Sequence, residues 1–263
     1  MKRIFLGEMK LNLKTTLLWS FIVGILGFVC TMMYKSMQGD MKAMADMFSN
    51  MGAFSDAFGM STLSIATIEG FFATEVGTVH GLGGGMFAAI LAIGILSKEE
   101  EGHTGEFLFS LPVSRIKVIA AKGICVFLSL IFFTIICALF YALGFVMLNE
   151  EVPVKELVIF MLMHFIMNVE VASICFALSS ISGKNRMGLG IGIAMMFYVY
   201  DLIGRVVPSM KDYLFLGPYS YTNASEIFAG KETSKEALLV AAVVLLSGIV
   251  FAFFYYDKRD LAS

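Results

Sequence analysis

The stretch Glu99-Glu100-Glu101-Gly102-His103-Thr104-Gly105-Glu106, continuing to Leu108-Phe109-Ser110-Leu111-Pro112-Val113-Ser114-Arg115, interrupts long apolar runs with dense charge. Its residue types suit recognition. Phe107, Leu108, Phe109 and Leu111 supply an apolar anchor, and Glu99 to Glu101 with Arg115 and Lys117 supply a charged rim, the composition of a knob that fits another protein's cleft. Three consecutive glutamates would be repelled by anionic headgroups, which argues against a segment that merely rests on lipid. Leu111 precedes Pro112 and should leave the helical region, and Ser114 is placed to cap the helix that follows.

A second chemical candidate is Glu170, a carboxylate flanked on both sides by more than a helical turn of apolar residues. An ionisable group at that depth needs a partner or a proton, and it marks either a pathway or proton step or a protonated acid hydrogen-bonded within the bundle. Helical spacing puts Glu170 with Met163, Met167 and Ile174, whereas His164 and Asn168 fall nearly opposite, so the three polar groups do not form one site. Glu69, Glu75 and His80 are expected at the outer entrance of the second span, lining a vestibule or meeting water. Asp201 and Arg205, four residues apart, can pair on one helix face.

Other chemistry is absent from the sequence. No His-Glu-x-x-His or Gly-x-Ser-x-Gly motif and no paired mid-membrane aspartates occur, so a membrane enzyme is not expected. Cys30, Cys125, Cys137 and Cys175 are scattered through apolar runs and encode neither a disulfide framework nor a zinc site. The net charge of −2 gives no reason to expect nucleic-acid binding. Nowhere is there a Gly-x-x-x-x-Gly-Lys-[Ser/Thr] loop; Gly183-Lys184 and Gly230-Lys231 lack both the upstream glycine and the following hydroxyl.

The elements that must hold these residues are membrane helices. The chain is 58% hydrophobic and 15% charged, outside the range of soluble domains. Apolar runs long enough for a hydrocarbon core of about 30 Å occur at Thr15 to Tyr34, Val76 to Ser97, Gly123 to Asn149, Leu157 to Gly183, Met187 to Met210 and Ala237 to Tyr256. The expected fold is an all-α membrane protein of six transmembrane helices in a single domain spanning 1–263, with extracellular loops at 35–67 and 211–236 and a cytoplasmic segment at 98–117. With the amino terminus inside, twelve of the 19 Lys and Arg fall on the inner side, so both termini are expected in the cytoplasm of a multi-pass protein. The first apolar run lacks a small-residue cleavage site and is expected to be a retained anchor.

Residues 1–14 set Ile4, Phe5, Met9, Leu11 and Leu13 among Lys2, Arg3, Lys10 and Lys14. That pattern suits an amphipathic helix lying in the inner interface, or an extension of the first span past the surface. Met37, Met41, Met44, Phe48 and Met51 form an apolar stripe in the first outer loop, readable as a packing face or, through its thioethers, as a copper(I) relay. Gly77, Gly81 and Gly85 make a flat ridge on the second span, and Gly188 and Gly192 repeat it on the fifth, as candidates for helix packing or for a dimer face.

Glu100 through Arg115, with Lys122 beyond it, resembles the signature of ABC-2 type permeases, the membrane subunits of ATP-driven exporters, and the six-span layout is similar over the whole chain. The resemblance implies a type V exporter-like permease in which Glu99, Glu100, Gly102, Thr104, Glu106, Leu108, Leu111, Pro112, Ser114 and Arg115 couple to a separate nucleotide-binding subunit. Two copies of that ABC ATPase would carry ATP and Mg, with no cofactor or metal on this chain. A second permease copy completes the assembly, a homodimer being simpler than a heterodimer, in the plasma membrane and surrounded by lipid. The alternative is an ion-coupled secondary transporter that uses Glu170.

Overall fold

The computed structural model describes residues 1–49, 51–104 and 113–259, apart from the side chains at 38, 41, 42 and 49. Six helices among the described residues are long and apolar enough to cross a membrane. They are α1 (Lys2–Ser49), α3 (Ile68–Ile93), α5 (Arg115–Met147), α6 (Val154–Ile181), α7 (Met187–Val206) and α9 (Lys235–Lys258). Between them lie three short helices, α2 (Ala53–Ala57), α4 (Lys98–Glu101) and α8 (Ala224–Phe228), and a 3-10 segment at Pro208–Leu216. No strand occurs among the described residues.

Of the two readings of the leader the extension of the first span holds, and the expectation about the far end of that span changes. Residues 2–14 are the opening turns of a single 48-residue helix rather than a separate helix lying across the surface. At 1.5 Å per residue α1 is about 72 Å long, more than twice the hydrocarbon thickness. Glu8 is buried and faces the bundle, so the leader is held by its one acidic residue while Leu6, Leu11 and Leu13 stay exposed. At its other end α1 runs on to Ser49, so the first part of the segment 35–67 is helix rather than loop.

The second span begins at Ile68, not Val76, because Thr67 caps it: the Thr67 hydroxyl accepts from the Gly70 N–H at 3.1 Å. Its residues Phe72–Val76 form a π-helical turn. That turn delivers Phe72 to the centre of an aromatic cluster, with the rings of Tyr141, Phe145, Phe160 and Phe228 at 5.7, 5.2, 5.7 and 5.3 Å. Helix α5 starts at Arg115, earlier than hydropathy suggested, and carries Lys122 inside it.

Helix α3 is wedged between α6 and α7, α1 runs along α5, and α9 lies along α6. The outward faces of α5 and α9 are apolar, with Phe132, Ile135 and Leu139 exposed on one and Leu239, Leu246 and Val250 on the other. Water would not tolerate such faces at this extent, and hydrocarbon does.

The glycine ridge of α3 is a packing surface within the chain. A Cβ at Gly77 would stand 2.8 Å from the Ala224 methyl, one at Gly81 would touch His164 and Tyr219, and one at Gly85 would overlap the Tyr219 hydroxyl. On α7 the close approach is at Gly190, 3.1 Å from Ile93, a position outside the expected pair. Gly188 and Gly192 meet nothing within 4 Å and face outward. Gly85→Val is therefore expected to lower stability by about 1–3 kcal/mol, while Gly188→Val leaves it unchanged; thermal unfolding of the two variants in detergent checks the contrast.

Candidate functional site

The end of the bundle that holds Glu8 also holds Lys98, Lys122, Ser182 and Arg259, and α4 is its centre. Helix α3 ends at Ile93, and a Cβ on Gly94 would stand 2.5 Å from the Asn185 side chain, so the chain turns here against the link between α6 and α7. The Leu96 N–H donates to the Ser179 hydroxyl at 3.0 Å, fixing the turn to the end of α6. One helical turn follows, and each of its four residues reaches a different element.

Lys98 pairs with Glu8 of α1. Glu99 pairs with Lys122 of α5 at 2.5 Å. The Arg259 guanidinium, just past α9, donates to Glu100 at 2.7 Å and to the carbonyls of Ser180 and Ser182 at 2.9 and 3.1 Å. The Asn185 N–H donates to the Glu101 carboxylate at 3.0 Å. Successive residues of one turn point about 100° apart, which lets four neighbours be held at once.

Lys122 is the hub. Its side chain is 0% exposed, and besides Glu99 its ammonium meets Glu8 at 3.3 Å and donates to the Ile95 carbonyl. Glu8 and Glu99 are themselves only 6% and 13% exposed. A buried ammonium is tolerable only when carboxylates and carbonyls replace its water, so α1 and α4, which supply the carboxylates, and the turn after α3 are bound to one position on α5. The carboxylates of Glu99 and Glu100 thus turn inward and anchor the turn, in place of the expected rim around a visiting protein. The chain leaves α4 through His103, which takes the left-handed conformation at φ 52°, with the Thr104 N–H donating to Glu99 O at 2.8 Å. Gly102 and Thr104 are exposed.

Glu106, Leu108, Leu111 and Pro112 lie outside the described residues. Ser114 occupies the first cap position of α5 in extended backbone, but its hydroxyl makes no capping bond there. The Arg115 guanidinium donates to the carbonyls of Tyr256 and Asp257 at 3.5 and 3.4 Å and to that of Arg259, joining the start of α5 to the end of α9.

The polar groups expected deeper in the bundle fall at separate places, as their helical spacing required. Glu170 is buried and accepts from the Tyr221 hydroxyl at 2.6 Å. Burial, and then the neighbouring Glu170, push the Tyr221 phenol above its ordinary value, so it keeps its proton and serves as the donor. His164 and His80 lie with ring centres 5.0 Å apart. His164 Nδ1 is 2.9 Å from the Phe160 carbonyl, and His80 Nδ1 is 2.9 Å from the Tyr141 hydroxyl. His80 is fully buried among aromatic rings and not at an entrance, because the span starts earlier than expected and carries it inward. Asn168 lies against Gly84 with neither side-chain atom hydrogen-bonded. Glu75 remains exposed. Asp201 pairs with Arg205 at 2.5 Å on one face of α7.

Sequence reasoning missed Glu8, Asn185, Arg259 and Tyr221 as parts of a site, and read Lys122 as an inner-side charge and a member of the resembling segment without its buried partners. One signal was present: Glu8 is the only acid in the basic leader 1–14. The partners of the others are 51 to 159 positions away in the chain and leave no local pattern.

Compared with known families, residues 4–261 match the one described as ABC-2 family transporter protein. Among curated proteins none matches.

Removing the hub ammonium should release the junction. Lys122→Met leaves Glu8 and Glu99 buried without their shared cation and is expected to cost about 3–5 kcal/mol. In a double-mutant cycle, adding Glu99→Gln should restore part of that loss, whereas strictly additive unfolding energies would show that the pair does not interact.

Proposed function

The chain belongs to the ABC-2 transporter family and is a multi-pass membrane permease component of an ABC transporter, and from that premise we propose that it exports its cargo by coupling to a separate ATPase at the α4 junction. Permeases of this family work with ATPase subunits. The observation that carries the reading is the fourfold anchoring of Lys98 to Glu101, because any displacement of that turn is passed to α1, α5, the α6–α7 link and the end of α9 together.

In this reading the junction end faces the cytoplasm of the plasma membrane, with both termini on that side. The inner-side Lys and Arg in the connections favour it. Gly102, Thr104 and the segment through Pro112 meet the ATPase, while Glu99 and Glu100 hold the root of that segment. ATP and Mg reside on the partner, since the chain has no phosphate-binding loop. Two ATPases and two permease copies form the assembly, the copies being identical in the simplest case. Closure of the ATPases pushes the turn, and α3 and α5 tilt as packed units to open a path.

The alternative, an ion-coupled carrier working through Glu170, is disfavoured by the Tyr221 hydroxyl, which donates to Oε2 of that carboxyl and holds it in a contact within the chain.

In vesicles reconstituted with the ATPase that copurifies from native membranes, Arg115→Glu is expected to preserve membrane insertion and ATP hydrolysis while lowering transport at least about fivefold. Unchanged transport would remove the junction from the coupling path, and transport in vesicles without any ATPase would favour the ion-coupled carrier.

A further inference from the structure

The far extension of α1 and the π-helical turn of α3 enclose a feature that ATPase docking does not use. Met37, Met44 and Phe48 of the methionine stripe, with Phe71, Thr74 and Glu75, line a cavity of about 280 Å³. Its walls are thioether and aromatic carbon, soft surfaces that adapt to apolar bodies of different shape. Three polar side chains break this lining, and since the Thr78 hydroxyl already donates to the Thr74 carbonyl at 2.7 Å, Glu75 and Thr74 are left. Glu75 is exposed and has no cation paired with it among the described residues. Thr74 Oγ1 is buried and has no hydrogen-bond partner.

Both polar residues stand in the π-helical turn Phe72–Val76, a backbone form that recurs at functional sites. A carboxylate beside sulfur and aromatic carbon, with no cation paired to it among the described residues, is complementary to a positive charge brought from outside. The rest of the wall selects what carries that charge. A hydrated metal ion would find a single carboxylate, and no group of three His, Cys, Asp or Glu side chains gathers among the described residues. An apolar body bearing one positive group gains both contacts, within a lining that includes the aromatic rings of Phe48 and Phe71.

We propose that this cavity binds a small amphiphilic monocation, its charge on Glu75, its polar edge on Thr74 and its apolar body against the methionine and phenylalanine wall. The assignment gives the transport reading a ligand class and rests on that reading only for the step from binding to movement. The methionine stripe thereby has a use other than metal relay or plain packing.

Binding is measured on the full chain alone, in nanodiscs of zwitterionic lipid, with no ATPase present. N-methylphenanthridinium and uncharged phenanthridine, nearly equal in shape, compete against ethidium followed by fluorescence anisotropy. The unmodified protein is expected to bind ethidium saturably and to prefer the charged competitor at least about tenfold. Glu75→Gln should abolish that preference and Glu75→Asp should retain it. Equal competition by the two compounds on the unmodified protein, or no saturable ethidium binding, overturns the proposal whatever the variants do to folding. Because no ATPase takes part, such a failure leaves the coupling reading untouched, and loss of coupling with the charge preference intact leaves this site standing.

Discussion

An ammonium group without water must be surrounded by oxygen, and at Lys122 that requirement organises one end of the molecule. The oxygens come from Glu8 of α1, Glu99 of the short turn and the Ile95 carbonyl that follows α3. Breaking such a set leaves uncompensated buried charge, so the arrangement specifies one relative position for three helices more strongly than apolar packing alone would. Lys98, Glu100 and Glu101 then extend the same logic to α1, α9 and the α6–α7 link. The junction is stiff because each member has its own distant partner.

The opposite half is held by different means. Phe72 sits among four aromatic rings, and the glycine ridge of α3 lets Tyr219 approach until its hydroxyl donates to the Gly81 carbonyl at 3.2 Å. Helix α3 thus runs at one end into the ion-paired turn α4 and is held along its length by close contact. A packed element of this kind moves as a body rather than by bending, which is what a push at its end would require in the proposed mechanism. The π-helical turn is the local departure from regular helix, and it coincides with the cavity that carries Glu75.

Hydropathy made the six spans legible, because hydrocarbon imposes one length and one composition on every crossing. Their ends were less legible for a physical reason. A search that stops at Lys or Arg treats charge as a boundary, yet Lys122 is inside α5 since its cost is met by partners on other helices. Composition left the leader open between an interfacial helix and an extension of the first span, and the extension holds because a continuous helix lets Glu8 reach Lys98 and Lys122. Helical spacing correctly separated Glu170 from His164 and Asn168, a local property. It could not reveal Tyr221, which comes from a different segment. The glutamates of residues 99–101 illustrate the same limit. Their charge was plain in the sequence, but an exposed rim and an inward clamp have the same composition and differ only in where Lys122, Arg259 and Asn185 lie.

The central claim is that the turn at Lys98 to Glu101, locked by Lys122, presents the following segment to an ATPase. A photo-cross-linking residue placed at exposed position 104 and activated in native membranes tests it directly. The account predicts an adduct with a soluble subunit that binds ATP, present in the unmodified background and lost with Lys122→Met although the permease still inserts. No ATP-binding adduct, or one that forms equally well in the Lys122→Met background, would contradict it.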